Sequence, residues 1–162
     1  GTAPSAVANV LAPLQATYLI ACTSVDSSDG KLESGQATII ITPDASSNGA
    51  EVSMHSQHYV GSANCASGTL DTDLTVRGKL SDKGTNKNFK DAAGNTVVGK
   101  VVSFTYTGLT LSKGNLSGSL PTFGTTATVA YVLTGNKLYV SKGHRGADGI
   151  GDALSTQVIV KQ

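Results

Sequence analysis

The chain has 162 residues, a length typical of one domain and sufficient to bury a sizeable core. Hydrophobic residues make up 39%, which predicts a globular rather than a disordered protein. Lys and Arg number 12 against 11 Asp and Glu, and this net charge of +1 gives no electrostatic reason to expect nucleic acid or an anionic membrane as a partner.

The first 14 residues are uncharged and rich in small apolar side chains. Four larger apolar residues fall at i, i+3, i+4 and i+7: Val7, Val10, Leu11 and Leu14. This spacing predicts a short helix ended by Pro13, with an extended arm as the alternative. We therefore divide the chain into an N-terminal arm or helix, 1–14, and a single β domain, 15–162. No apolar run in the chain is long enough to predict a transmembrane segment.

Beyond residue 14, β-branched runs and period-two alternation predict eight or nine strands. Strands are expected at 17–22, 37–42, 51–60, 69–80, 96–111 (one bent strand or two, broken near Gly108), 127–134, 137–142 and 156–161. Gly135-Asn136 is a strong signal for a two-residue hairpin turn. The polar stretch 81–95 and the glycine-rich stretch 143–152 are predicted loops. The fold class is all-β, either an antiparallel barrel or a β-sandwich.

Cys22 and Cys65 are the only cysteines, and neither belongs to a CxxC pair. A disulfide is favoured over a zinc site or two buried thiols, because the Gly-, Ser- and Thr-rich, charge-poor composition is typical of secreted bacterial proteins. It would close a loop of about 44 residues and stabilise the fold by about 4 kcal/mol on the chain-entropy model. The predicted location is secreted, extracellular or on the periplasmic and outer-surface side of the cell.

Three short motifs resemble those of secreted lipocalin-like small bacterial proteins and lipoproteins. They are an aromatic followed by Cys in the first strand (Tyr18 and Cys22), a Tyr followed by a loop Cys and Gly (Tyr59, then Cys65-Ala66-Ser67-Gly68), and Gly135-Asn136-Lys137-Leu138-Tyr139 before a Gly/Asp loop and a last strand, Val158-Ile159-Val160. The resemblance implies a lipocalin-like barrel of eight to nine strands and a cysteine pair, and it implies no activity. Ala16-Thr17-Tyr18 stands where Gly-Thr-Trp is usual in that group, whose Trp packs across the closed end of the barrel.

The side chains that could bind a metal do not form a recognisable set. His55 and His58 lie three apart on a strand and point to opposite faces, and His144 lies in a predicted loop. The acidic groups lack calcium-loop spacing and are interpreted as turn chemistry or solvated faces: Asp26, Asp29 and Glu33; Asp71 and Asp73; Asp148 and Asp152.

Motifs of catalysis and nucleotide binding are also missing. The sequence has no G-x-S-x-G elbow, no P-loop and no glycine motif for nucleotides beside a helix. We therefore predict a protein that is not an enzyme and that uses no metal or cofactor.

The favoured function is a structural or adhesive subunit of an extracellular fibre or matrix. In this hypothesis the N-terminal arm adds a strand to the next copy, giving a homo-oligomer or filament, through Val7, Val10, Leu11 and Leu14. The alternative is a lipocalin-like binder of a small apolar ligand, with a cavity lined by Val52, Met54, Leu74, Val76 and Phe104. Assembly ranks first because small Ala, Thr and Val side chains suit thin, flat packing better than a pocket.

Overall fold

A computed structural model describes residues 8–27, 29–116 and 122–162. Within these ranges the chain forms nine β-strands and two short 3-10 turns, Ala12–Leu14 and Ser67–Thr69. The strands are β1 (Ala16–Val25), β2 (Glu33–Pro43), β3 (Gly49–Val60), β4 (Leu70–Lys90), β5 (Thr96–Lys113), β6 (Thr126–Thr134), β7 (Lys137–Arg145), β8 (Gly151–Leu154) and β9 (Ile159–Lys161).

The strands close into a barrel. From β1 to β7 each strand pairs with the next one along the chain, always antiparallel. β9 then lies between β7 and β1, with Leu138 opposite Ile159 and Tyr18 opposite Lys161. The result is a closed antiparallel barrel of eight strands, with β8 paired to the far end of β7 as one extra strand. The predicted barrel is confirmed over the sandwich.

Period-two alternation decides which side chains face inward. On β2, Ile41 is 5% exposed whereas its neighbour Ile40 is 47% exposed. Because β-branched side chains pack well on a pleated, half-buried surface, this part of β2 forms a strand in which every second side chain reaches the core. The innermost cluster gathers at one end of the barrel and contains Leu11, Leu14, Tyr18, Ile41, Ala50, Val102, Leu138 and Ile159.

A second apolar cluster lies on the outside of the barrel. The far half of the β4–β5 hairpin folds against β6 and the loop before β8, and buries Phe89, Val101, Ala130 and Ile150. Lys87 links the hairpin to the loop before β8. Its Nζ donates to the Asp148 carboxylate at 2.8 Å and to the carbonyl of Ile150 at 3.2 Å.

Several boundaries differ from the sequence-based expectations. The predicted polar loop 81–95 is wrong, because β4 continues to Lys90 and its residues 86–90 pair with residues 96–100 of β5. The predicted glycine-rich loop 143–152 is shorter than expected, since β7 continues to Arg145 and β8 begins at Gly151.

The remaining differences concern the chain ends and the longest strand. The last strand is Ile159–Lys161 rather than 156–161, and 96–111 is a single strand whose register shifts near Gly108. In place of the short N-terminal helix, the described residues show only the 3-10 turn Ala12–Leu14. Division of the chain at residue 14 stays a prediction. Of the residues that the structure describes, none belongs to a helix with the length and apolar character that crossing a membrane requires.

Candidate functional site

The interior of the barrel contains an apolar cavity of about 380 Å³. Inward-facing side chains of β2 to β7 and β9 line it together with Leu14. Four of the five residues predicted for a cavity are among them: Val52, Met54, Val76 and Phe104. Leu74, the fifth, is not among the lining residues. It pairs with Ser56 of β3 and with Leu111 of β5.

Strand register explains why these residues meet. Met54 pairs with Ile39 on one side and Val76 on the other, so one row of side chains crosses three strands. In the adjacent row, Gly78 lies opposite Val52, and the Phe104 ring covers the space that a side chain at Gly78 would fill. Aromatic cover of a glycine in this manner keeps the wall continuous where the strand bends.

Leu11, Leu14 and Tyr18 close one end of the cavity. Leu11 and Tyr18 are fully buried, and the Tyr18 hydroxyl donates to the carbonyl of Leu14 at 2.8 Å. Tyr18 therefore occupies the closed end, where lipocalin-like proteins of the resembling group carry a Trp. Burial raises the pKa of Tyr18 above its ordinary value. Burial, followed by the negative charge of Asp82, raises the pKa of Tyr131 to about 12.

The N-terminal segment is seated on its own barrel. The Asn9 side chain donates to the carbonyls of Asp44, Ser46 and Gly49, and its Oδ1 accepts from the backbone of Leu11 at 2.8 Å. Of the residues proposed for assembly, Leu11 and Leu14 are buried in this way, and Val10 is 43% exposed. Val7 lies outside the described residues. Assembly through this segment stays a prediction.

The other end of the cavity carries Arg145, the one charged residue among the described residues that line it. Leu138 marks the closed end of β7, since it belongs to the same buried cluster as Leu14. Strands rise about 3.3 Å per residue, which places Arg145 roughly 20 Å farther along β7. Tyr106 and Phe104 also line the cavity, and their rings meet edge to face with centroids 4.8 Å apart.

Sequence reasoning missed Arg145 because residue 145 fell inside a predicted loop. From Leu138 and Val140, strict alternation would place position 145 on the outer face. A register irregularity between Lys142 and Arg145, with Gly143 at a φ of 91°, adds the extra residue that turns Arg145 inward. The sequence shows that Gly143 permits such a bulge. It does not show that a bulge forms there and shifts the register of β7 by one residue.

The histidines contact acidic side chains separately. His55 Nε2 lies 2.7 Å from Asp73 Oδ1, and Gln57 donates to the other oxygen at 3.1 Å. These hydrogen bonds, from Gln57 first and then His55, lower the pKa of Asp73. His58 lies 3.9 Å from Glu33 and 3.8 Å from Asp71. Among the described residues, no group of three or more His, Cys, Asp or Glu side chains could hold a metal ion.

The two acidic loops use their carboxylates to hold turns. Asp29 Oδ1 accepts from the Ser27 hydroxyl at 2.6 Å and from the backbone of Lys31 at 3.1 Å, which lowers its pKa. Asp148 accepts from Lys87 and from the backbone of Ile150, with the same effect on its pKa. Both contacts agree with the interpretation of these residues as turn chemistry.

The predicted bridge between Cys22 and Cys65 is confirmed. It ties the loop that follows β3 to β1. Ser34 holds the same loop from β2, because its fully buried hydroxyl donates to the carbonyl of Ser62 and accepts from the backbone of Cys65. Neither the disulfide nor Ser34 lines the barrel cavity, so both stabilise the fold rather than the candidate site.

A larger groove of about 660 Å³ lies outside the barrel, between the tip of the β4–β5 hairpin and the outer faces of β6 to β8. Its lining includes loop residues 91–93 and 155–156 in addition to strand side chains such as Val132 and Tyr139. The barrel cavity, in contrast, is lined by strands and the 3-10 turn, so its shape is fixed by regular hydrogen-bonded structure. We therefore take the barrel cavity as the candidate site.

Compared with known proteins, the chain matches no family model, no curated protein and no solved structure. The structure shows the barrel and the disulfide, while the lipocalin-like relationship stays a prediction.

Proposed function

We propose that this chain is a non-catalytic, lipocalin-like binder of a small apolar ligand, held inside the barrel. The observation that supports the proposal is the apolar cavity of about 380 Å³, which falls in the size range of small-molecule sites. We therefore rank ligand binding above assembly, because the inward side chains, most of them Val, Ile or Leu, leave space inside the barrel.

Packing also supports a binding role. Apolar side chains that border unfilled space lose contacts, which disfavours the folded state. An apolar occupant would restore such contacts and, by binding to the folded state alone, would stabilise that state.

The proposed location is extracytoplasmic. The Cys22–Cys65 bridge supports it, because disulfides persist in oxidising compartments and are rare where glutathione keeps thiols reduced. A carrier that meets ligand outside the cell also needs a scaffold that resists unfolding, and the bridge supplies such a constraint.

The test is a titration with N-phenyl-1-naphthylamine, a neutral dye whose fluorescence rises in apolar surroundings. We expect saturable, one-to-one binding and displacement by 1-decanol. Val76→Phe adds volume inside the cavity and should abolish binding, whereas Val98→Phe places the same ring at a residue that is 56% exposed and should leave binding unchanged. Circular dichroism would confirm that both variants fold.

Absence of saturable binding to the wild type would overturn the proposal. Binding that survives Val76→Phe in a folded variant would place the dye elsewhere, such as the outer groove, and would also overturn it.

A self-assembling structural subunit is the second candidate. One observation favours it: β1 pairs with β9 only at Tyr18 and Leu19, and the rest of this edge, residues 21–25, is exposed and uncharged. Edges of monomeric proteins usually carry blocking charges or bulges, and this edge has a register irregularity between Ile20 and Thr23 but no charge. A strand from another copy could add there through main-chain hydrogen bonds.

A further inference from the structure

Arg145 has a position that an apolar ligand alone does not explain. Of the residues in ranges 8–27, 29–116 and 122–162 that line the barrel cavity, it is the sole charged one, and it lies at the end opposite Leu14. Across the described part of the chain, Arg145 forms no ion pair with an acidic side chain. A guanidinium beside an apolar cavity without an acidic partner is suited to an anion supplied from outside.

We infer that the ligand is an amphipathic carboxylate, with its tail in the cavity and its head group on Arg145. This inference rests on the proposed ligand-binding function and adds the chemical class of the ligand. Arg145 lines the cavity and is exposed as a residue, so its side chain lies where the cavity meets water. A carboxylate bound there keeps part of its hydration and gains two parallel hydrogen bonds.

The opposite end of the cavity is unfavourable for a negative charge, and this determines which end of the ligand lies there. Leu11, Leu14 and Tyr18 are buried there. The negative charge of Asp82 acts on Tyr131 at the same end and adds to the burial that raises its pKa. A carboxylate placed beside Tyr131 would be desolvated and would face a like charge, so the tail enters first.

A bulge in the backbone before Arg145 determines which face of β7 carries its side chain. The bulge between Lys142 and Arg145 breaks the pairing of β7 with β8 and reverses the inward and outward alternation. Gly143 stands at the bulge, where a φ of 91° favours a residue without a Cβ. The bulge lies at the rim of the barrel, a place where such irregularities commonly re-aim a functional side chain.

The cavity volume sets the length of the tail. A water-sized group takes about 30 Å³ of liquid volume, so the cavity holds roughly a dozen such groups. A methylene is of similar size, and the best-fitting ligand is therefore a medium-chain carboxylate of roughly ten carbons.

The experiment compares decanoate with 1-decanol, which has the same chain length and no charge, by displacement of N-phenyl-1-naphthylamine. We expect decanoate to bind the wild type about tenfold more tightly than decanol, the effect of one charge-assisted hydrogen-bonded pair. Arg145→Gln should remove this difference by weakening decanoate alone, and Arg145→Lys should restore part of it. Arg77→Gln is the matched control, because the Arg77 guanidinium bonds to Thr110 Oγ1 and does not line the cavity.

The outcomes separate the two proposals. Equal affinities for decanoate and decanol, unchanged by Arg145→Gln, would overturn the carboxylate inference and leave the apolar binder standing. Failure of both ligands to displace the dye, or of the dye to bind, would overturn the proposed function itself. A loss of decanoate affinity in Arg77→Gln equal to that in Arg145→Gln would show a general charge effect and would also overturn the inference.

Discussion

At the closed end of the barrel two tyrosines hold their protons more tightly than tyrosine does in water. The Tyr18 hydroxyl is bonded to the carbonyl of Leu14, and the pKa of Tyr131 is raised to about 12. Burial is the main cause at both residues, because it disfavours the phenolate. The chain therefore carries a built-in sensitivity to alkali at the base of its cavity.

The consequence for Tyr131 is a stability that falls at high pH. The folded-state pKa lies above the ordinary value of about 10, so the stabilisation is fully present below about pH 10 and is lost between about pH 10 and about pH 12. Tyr131→Phe should show a shallower decline in the free energy of unfolding over that interval. Urea unfolding at stepped pH from about 9 to about 12 measures the slope.

Tyr139→Phe removes a hydroxyl from β7 outside the cavity and is the control for that measurement. A slope in Tyr131→Phe that coincides with the wild type and with this control would contradict the assignment of alkaline sensitivity to Tyr131.

Among the elements, β4 and β5 depend on glycines beneath aromatic rings. A Cβ at Gly78 would overlap ring atoms of Phe104, and a Cβ at Gly99 would lie 2.7 Å from the Phe89 ring. Phe104 lines the cavity and Phe89 belongs to the outer apolar cluster, so the two glycines make room for rings on different sides of the barrel wall.

Gly78→Ala should therefore both destabilise the barrel and obstruct its cavity. The Phe104 ring must move away from the new methyl group, and overpacking of this kind costs about 1–3 kcal/mol. Thermal unfolding gives the stability, and dye titration gives the affinity, which should fall. Gly68→Ala is the matched control, because a Cβ at Gly68 meets open space. Unchanged stability and dye affinity in Gly78→Ala would show that the ring does not form the wall described above.

Some elements were predictable from sequence and others were not, for a physical reason. Gly135-Asn136 predicted the β6–β7 turn because few residues adopt its backbone conformation, and the strands pair there as expected. The prediction of a loop at 81–95 was wrong because this half of the hairpin packs against the barrel on one side only, so most of its residues are polar and exposed. Phe89 is the apolar anchor on that part of β4, and its partner Ile150 lies some sixty residues away in the chain.

For the molecule as a whole, the position of the N-terminal segment separates a carrier from a fibre subunit. Leu11 is fully buried in its own barrel, and Leu11→Ala should cost about 2–5 kcal/mol of unfolding free energy. Val10 is 43% exposed, and Val10→Ala should change stability by about 0.5 kcal/mol or less. Thermal or urea unfolding of both variants makes the comparison.

The same segment allows a test of assembly. As a carrier, the 162-residue chain should be monomeric by light scattering, and removal of residues 1–7 should leave it monomeric. Large assemblies that disappear on this deletion, with a folded monomer remaining, would instead establish the structural subunit and displace the carrier.

The candidate site was partly readable from the sequence. Alternation assigned Val52, Met54, Val76 and Phe104 to the interior because each lies within an unbroken stretch of period two. Alternation gives the face of a strand but not the position along the barrel axis, and for this reason Leu74 was included although it does not line the cavity. Arg145 was out of reach because the bulge at Gly143 reverses the face.

The order of the strands also determines how the barrel folds. The ladders from β1 to β7 join strands that are neighbours in the chain, and such contacts form at a small entropic cost. Only β9 joins the two ends of the sheet, where Leu19 meets Val160. We therefore expect an open, curled sheet to precede closure, with the future cavity wall facing solvent. Because exposed apolar surface of that kind drives aggregation, we expect this chain to compete with self-association at the closing step, and a ligand that fills the cavity would favour the closed product.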